Sequence, residues 1–288
     1  MKTMTKKILS LIMAVAATGS CMGMMAGCST TTKTPEIEIK IEYEGKTYKL
    51  GYTLYRAAAP STVTHFMTLV ENKYYDGVCV HDYDATADKM YTGGYTHVDG
   101  GEDGGLVYKN YYEIVKAYKN FTHTVWTDLN KTEALYNLRG EFSSNGFYVG
   151  DENNSGAIKE AFGSLSMFYT AKASDEEVAV FNKSANGGKG KMQKDPYEYN
   201  SATSLFAINL SDGGSVNPDY CTFATLKEES VSVLEKLVEL IEDEDDFTTE
   251  YTLPIDRDDR FMKEYNSEAT YSIPETPIVI QEVKVTKY

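Results

Sequence analysis

Three separated stretches constrain the fold of this chain more than its composition does. They are Lys49–Tyr75, Gly163–Met167 (GSLSM) and Asn200–Leu210 (NSATSLFAINL). The first contains a strand pattern followed by a helical one, and the other two are short runs of apolar and small polar residues typical of strands. No alternation of strands with long helices connects them, which argues against a parallel α/β sheet. We therefore predict a mainly β domain, a closed sheet with helices at its ends.

Periodicity assigns the elements around these stretches. Short patterns that fit strands occur near both ends of the domain, at Glu36–Tyr43, Lys46–Tyr55, Val78–Tyr83, Lys89–Tyr91 and Pro277–Val285. The first two are joined by a Glu44-Gly45 turn and predict a hairpin. Apolar residues at helical spacing predict two amphipathic helices, Ser61–Glu71 and Ser230–Ile241.

The N-terminus has the pattern of an export signal. Three lysines within the first seven residues precede an apolar run from Ile8 to Ala17, which is too short for a helix to cross ~30 Å of hydrocarbon. Met25–Cys28 resembles the lipobox of bacterial lipoproteins, in which the cysteine is lipidated and becomes the mature N-terminus. We predict a signal peptide at 1–27, lipidation of Cys28 and a flexible tether at 28–35. The alternative is an ordinary cleaved signal with an incidental cysteine.

Charge and location restrict the possible partners. The chain has 28 basic and 43 acidic residues and a formal net charge of −15. This argues against nucleic acid as a partner, because phosphate binding needs a basic face. The predicted location is the extracytoplasmic face of the bacterial cell membrane, with a lipid anchor as the only membrane contact.

No motif predicts a cofactor or a metal. Gly187–Lys191 (GGKGK) lacks the Ser or Thr of a phosphate-binding loop, and the acids among glycines at 99–103 lack the closing Glu of a calcium loop. Cys79 and Cys221 lie beyond the signal in apolar, strand-like surroundings. They are expected to be buried free thiols, although a disulfide between them stays open.

The order of the motifs resembles the cyclophilins, the peptidyl-prolyl isomerase family. Tyr52–Gly77 resembles the family's strand, Ala-Pro, helix and Gly-Tyr-Tyr-Asp-Gly. GSLSM resembles Gly-x-Leu-Ser-Met, and NSATSLFAINL resembles Asn-Ser-Ala-Thr-Ser-Gln-Phe-Phe-Ile-Asn-Leu. The resemblance implies an eight-stranded antiparallel β-barrel capped by two α-helices. Residues 36–288 then form one such domain, with long insertions near 98–137, 171–198 and 242–270.

The resemblance also implies where an active site would lie, and most of its positions hold other residue types. Cyclophilins are thought to use the arginine of Phe-His-Arg to donate hydrogen bonds to the prolyl amide. Here the triplet reads Val80-His81-Asp82, and an ionised aspartate only accepts. The family's Phe-Met-x-Gln reads Lys89-Met90-Tyr91-Thr92. Its Ser-Gln-Phe-Phe has Leu205 and Ala207 at the Gln and second Phe, and its later His falls at Tyr220.

No confident catalytic residue remains at these positions, which are occupied by Asp82, Thr92, Leu205 and Tyr220. Tyr220 and Arg139 are the candidates for a substitute donor. A peptide-binding groove is still implied, and the residues predicted to line it are Met90, Phe168, Tyr169, Ala207, Val216 and Tyr220.

Two functions from different classes stay open. Isomerisation must overcome an amide barrier of ~18–20 kcal/mol, and without the arginine it is expected to be weak or lost. The first function is therefore binding, and weak isomerisation, of proline-containing peptides or exported proteins. The second is a non-catalytic peptide- or protein-binding module on the cell surface.

Overall fold

The structure is a computed structural model. It describes residues 34–118, 124–142, 158–167, 177–182, 185–196, 201–254 and 268–288. The predicted lipidation site Cys28 and the predicted groove residues Phe168 and Tyr169 lie outside the described residues.

Strands dominate the described residues. In chain order they are β1 (Glu36–Tyr43), β2 (Lys46–Leu54), β3 (Val78–Asp84), β4 (Lys89–His97), β5 (Leu106–Tyr108), β6 (Thr124–Trp126), β7 (Ala134–Arg139), β8 (Leu165–Met167), β9 (Glu177–Asn182), β10 (Lys191–Pro196), β11 (Ser201–Ala202), β12 (Phe206–Asn209), β13 (Cys221–Leu226), β14 (Thr248–Pro254), β15 (Glu268–Pro274) and β16 (Val279–Lys287). The helices are α1 (Pro60–Glu71), α2 (Tyr112–Ala117) and α3 (Glu228–Glu242), with a 3-10 turn at Asp103–Gly105.

Eight of the strands close into an antiparallel ring. Their order is β12, β8, β13, β2, β1, β16, β3 and β4, and β4 pairs again with β12 to complete the circuit. Strand β5 adds to β4 as a ninth strand. The predicted mainly β, eight-stranded antiparallel architecture with helices is confirmed.

The interior of the ring is filled by large side chains from strands and helix α1. The ring of Phe66 stacks on Tyr75 with centroids 4.9 Å apart and contacts Phe223 at 5.0 Å and Phe206 at 5.5 Å. All four side chains are fully buried. Aromatic contacts of this kind stabilise beyond the area that they bury. The early motif and NSATSLFAINL therefore contribute to one core.

Helix α1 begins without a capping side chain of its own, because Ala59 occupies its N-cap. The carboxylate of buried Glu141 takes over this role. Its Oε1 accepts from the backbone N–H of Ser61 at 3.1 Å, and its Oε2 accepts from Thr62 at 2.8 Å. Two of the N–H groups that a helix leaves unpaired at its start are thus satisfied from a distant segment.

The acidic end of helix α3 is bound to the core. Tyr83 Oη donates to Glu242 at 2.7 Å, and Tyr43 Oη donates to Glu244 at 2.8 Å. Burial, and then these carboxylates, raise the pKa of both phenols. The acidic run at 242–246 therefore supplies acceptors to buried tyrosines as well as facing solvent.

The segments predicted as the first two insertions contribute most strands of a second sheet. Its strand order is β10, β9, β6, β7 and β11, so strands from the segment near 98–137 pair with strands from the segment near 171–198. Val125, Leu135, Val178 and Val180 form its small core. The GGKGK run lies at the turn between β9 and β10 and enters β10 at Lys191.

The segment predicted as the third insertion overlaps the hairpin β14–β15, which packs on strand β3. The ring of Tyr271 lies 5.4 Å from His81 and 5.9 Å from Tyr95, and the Tyr95 and Tyr271 hydroxyls are 3.3 Å apart. None of the helices in the described ranges has the length and hydrophobicity that crossing a membrane requires.

Candidate peptide-binding site

One row of side chains crosses five strands of the ring on the face that points away from the core. Residues paired directly across antiparallel strands share a face of the sheet. This row, which we call the outer row, consists of Asp82 (β3), Tyr91 (β4), Ala207 (β12), Ser166 (β8) and Thr222 (β13). The row beside it faces inward and belongs to the core, and its members are Tyr83, Met90, Ile208 and Leu165.

Asp82 binds the added hairpin. Its Oδ1 accepts the backbone N–H of Ser272 in β15 at 2.8 Å. Burial raises the pKa of the carboxyl to about 6, the Ser272 hydrogen bond opposes this, and neighbouring Asp84 adds to it. An arginine at this position would have no acceptor for the Ser272 N–H. The aspartate is therefore suited to holding the hairpin against β3.

Lys89 lies on the same face as the outer row, two residues before Tyr91. Its Nζ is 3.1 Å from Glu160 Oε1 and 4.8 Å from the centroid of the Tyr220 ring. The residue is only 9% exposed. Sequence reasoning noted Lys89 as a departure but assigned it no role. Its partner lies 71 residues away in the chain, and nothing in a single sequence signals such a pair.

Glu160 connects Lys89 to the far end of the outer row. Its Oε1 accepts from Ser166 Oγ at 3.3 Å, and its Oε2 accepts from Asn217 Nδ2 at 3.2 Å. The Ser166 hydroxyl is also 2.9 Å from that of Thr222. The carboxylate is thus held by three donors, and the Lys89 ammonium is fixed against it.

Tyr91 occupies the centre of this face and is 8% exposed. Burial raises the pKa of its hydroxyl, and Tyr220, Asp84, Asp82 and Glu160 raise it further. The phenol stays protonated and can donate at neutral pH.

Two of the predicted site positions face the core instead. Met90 is fully buried in the core cluster of the ring. Thr92 is fully buried as well, pairs with Phe206, and donates from Oγ1 to the Cys79 carbonyl oxygen at 2.7 Å. The structure does not bring these two side chains to the outer row.

The described residues contain no group of three or more His, Cys, Asp or Glu side chains placed to hold a metal ion. Cys79 and Cys221 are separate buried thiols. Burial raises the pKa of each to about 12, so neither is a thiolate at neutral pH.

The sequence of the candidate site and of most of the ring matches a known protein family. Residues 38–257 match the model of the cyclophilin type peptidyl-prolyl cis-trans isomerase/CLD, which covers more than half of the chain. The chain belongs to this family. No curated protein matches it.

Solved cyclophilins resemble the chain at low identity. A cyclophilin type peptidyl-prolyl cis-trans isomerase of Cryptosporidium parvum is 14% identical, with 88% of this chain and 99% of that chain covered and a TM-score of 0.44. Its structure in the presence of the dipeptide Ala-Pro gives the same identity and coverage and a TM-score of 0.42. The Mimivirus cyclophilin is 14% identical, with 90% and 92% covered and a TM-score of 0.41.

The remaining predicted positions of this cyclophilin-type chain lie around the same region. Leu205 directly precedes β12 and is buried against Gly94, where an added Cβ would come within 2.3 Å of Leu205 Cδ2. Ala207 is in the outer row, and Tyr220 lies beside Lys89. Val216 is half-buried in the segment between β12 and β13.

Arg139, one candidate for a substitute donor, is used in the second sheet. It ends strand β7, and its Nη2 lies 2.6 Å from Asp195 Oδ2 in strand β10. The guanidinium thus forms an ion pair between strands β7 and β10.

Proposed function

We propose that this protein binds proline-containing segments of exported proteins and that prolyl isomerisation is weak or lost. The outer row, with Lys89 and Tyr220 beside it, is the proposed binding surface. It contains positions at which the motifs of the family imply a peptide-binding site.

The observation that carries the proposal is the contact between Asp82 and Ser272. At the position of the family's arginine, the chain has an acceptor that is already engaged by the backbone of its own hairpin. Isomerisation is accelerated by groups that bind the twisted amide better than the planar one. An aspartate that accepts from Ser272 supplies no donor for this purpose.

The second support is the polar character of the surface beside Asp82. Lys89 stands where the family's motif has an apolar phenylalanine, and it is paired with Glu160. Ala207 replaces a second phenylalanine with a single methyl group. Less apolar area is therefore offered to a prolyl ring, which favours weaker and more polar binding.

The test is an exchange measurement by NMR on a short Ala-Pro peptide with the purified protein. We expect the peptide resonances to shift on addition of the protein. We expect cis/trans exchange to remain as slow as the spontaneous reaction, which takes tens to hundreds of seconds. A clearly faster exchange would overturn the loss of catalysis, and Tyr220 would be the next donor to remove.

The variant Asp82→Arg tests how far this one position accounts for the proposed loss of isomerase activity. We expect no gain in exchange rate, because the added guanidinium leaves the Ser272 N–H without its acceptor and Lys89 and Ala207 remain. A gain of tenfold or more would show that Asp82 alone blocks isomerisation.

A non-catalytic module that binds proteins without a need for proline is the second candidate. The hairpin β14–β15 and the five-stranded second sheet favour it, because both add surface outside the ring. An Ala-Ala peptide of otherwise identical sequence separates the two. Equal binding of both peptides would favour this candidate, whereas the proline-binding proposal expects the Ala-Ala peptide to bind more weakly.

The proposed location is the extracytoplasmic face of the bacterial membrane, through a lipid on Cys28. Cys28→Ser should release the protein from the membrane fraction, because the thioether can no longer form. Cys21→Ser is the matched control, since Cys21 lies in the same segment without an apolar residue three positions earlier. Release of both variants, or of neither, contradicts the assignment to Cys28.

A further inference from the structure

The Lys89 ammonium has donor capacity that the described protein does not use. A lysine carries three N–H donors and no acceptor. Among the described residues, the Glu160 carboxylate is the only hydrogen-bond acceptor within reach of Nζ. The residue is 9% exposed, so solvent reaches the ammonium only in part. Leaving buried donors unpaired is costly, and a bound ligand can satisfy them.

The position of Lys89 places its ammonium group on the proposed binding surface. Lys89 and Tyr91 alternate with inward-facing Met90 on β4, so both lie on the outer face. The Tyr220 ring centroid lies 4.8 Å from the ammonium, and Glu160 Oε1 lies 3.1 Å from it. A donor held by two partners loses little side-chain freedom when a ligand binds.

Proline-containing segments have the complementary chemistry. Each proline removes a backbone N–H and keeps its carbonyl, so such a segment offers more acceptors than donors. Asp82, at the family's donor position, adds a further acceptor and cannot pair with these carbonyls. A donor elsewhere on the same face is needed.

We propose that Lys89 donates a hydrogen bond to a backbone carbonyl oxygen of the bound segment. The donor has thereby moved from strand β3 to strand β4. This inference rests on the proposed function, and it assigns Lys89 as a binding residue. If Lys89 and Glu160 formed only a structural ion pair, their replacement would leave peptide affinity unchanged. A buried ion pair can often be replaced by uncharged residues without loss of stability.

The test compares the full-length protein with the double variant Lys89→Met, Glu160→Gln. Changing both partners avoids leaving one charge buried alone, which would itself destabilise the fold. We expect the affinity for the Ala-Pro peptide to fall about tenfold, the usual effect of losing a hydrogen bond from a charged donor.

Lys109→Met is the matched control. Lys109 is another part-buried lysine above a tyrosine ring, 5.4 Å from the centroid of Tyr74, and it donates to the Asp76 carbonyl oxygen at 2.7 Å. It follows β5 and is not in the outer row, so its removal should leave peptide affinity unchanged.

A second measurement does not depend on how the variants fold. Peptides in which one carbonyl oxygen at a time is replaced by sulfur, a weaker acceptor, are bound to the unaltered protein. One position should weaken binding several-fold, and the same peptide should bind the double variant without any additional loss. This non-additivity identifies the partner of Lys89.

The outcomes separate the two proposals. If the unaltered protein binds the Ala-Pro peptide and the double variant binds it equally, the assignment of Lys89 is wrong and the proposed function stands. An unaltered protein that is indifferent to every thioamide position also overturns the assignment. No binding of the Ala-Pro peptide by the unaltered protein overturns the proposed function itself.

Discussion

The inner and outer faces of strands β3, β4, β8 and β12 differ in what restricts their side chains. The inner face contributes to a packed interior, in which Phe206 lies against Phe66 and Tyr75. It keeps Met90, Phe206 and Ile208 of the family's motifs, whereas Thr92 stands where the family has Gln. The outer face holds Asp82, Lys89 and Ala207 where the family has arginine and two phenylalanines. Close packing in the interior makes changes of side-chain volume costly. On the outer face, the residue types depend instead on the partners that each side chain contacts.

Two polar contacts involve residues of the outer face. Asp82 accepts from the added hairpin, and Lys89 pairs with Glu160. The comparison therefore teaches that one face of a strand can retain the fold while the other acquires different chemistry.

The largest expected effect comes from the inner face. Phe206→Ala removes a fully buried ring and should lower the free energy of unfolding by about 3–5 kcal/mol. Ala207→Gly, one residue further on the outer face, should cost only about 0.5–1 kcal/mol. Denaturant unfolding measures both, and losses of similar size would remove the distinction between the faces.

A smaller effect is expected from the buried carboxylate at the start of α1. Glu141→Ala leaves the N–H groups of Ser61 and Thr62 without their acceptor and should cost about 1–3 kcal/mol. Glu228→Ala is the control, because Glu228 is exposed in the first turn of α3 and a surface change there should stay within about 0.5 kcal/mol. Equal effects would show that the Glu141 contacts do not support α1.

The smallest effect depends on pH. The folded pKa of Asp82, about 6, lies above the ordinary value of 3.8, so its contribution to stability is lost as pH rises through 6. Asp82→Asn keeps an acceptor for Ser272 and removes the charge. The variant should be more stable than the unaltered protein by about 1–2 kcal/mol above pH 7. This difference should vanish near pH 4, as unfolding curves at both pH values would show.

His65 provides an internal check on this pH dependence. Burial lowers the pKa of His65 to about 4 from 6.5, so its contribution is lost as pH falls below 6.5. The two groups oppose each other in the unaltered protein. Asp82→Asn should therefore lose stability on acidification more steeply than the unaltered protein, and a parallel response would contradict the assignment to Asp82.

Local patterns predicted the strands and helices of the ring well, but not the strands of the second sheet or the hairpin β14–β15. Strand β1 has the predicted bounds, helix α1 begins one residue earlier than predicted, and helix α3 extends to Glu228–Glu242. Each of these elements has one buried face, and the spacing of its apolar residues in the sequence shows whether it is a strand or a helix. The positions of Asp82 and Ala207 on one face also follow from strand periodicity and the motifs.

Long-range pairing could not be predicted in the same way. The pairing of β6 with β9, the hairpin on β3 and the Glu141 contacts join segments far apart in the chain. Met90 was expected to line a groove, whereas its place in the core depends on the register of β4 against β3 and β12. A shift of one residue in register exchanges the two faces.

The sequence by itself determined the class of fold, the order of the strands and helices of the ring, and an aspartate where the motif of the family has arginine. The tertiary structure alone decided what replaced that chemistry, namely the acceptor role of Asp82 and the donor role that we propose for Lys89. The physical reason is that periodicity records which face of an element is buried, while the partner of a polar side chain is set by distances that arise only when the ring closes.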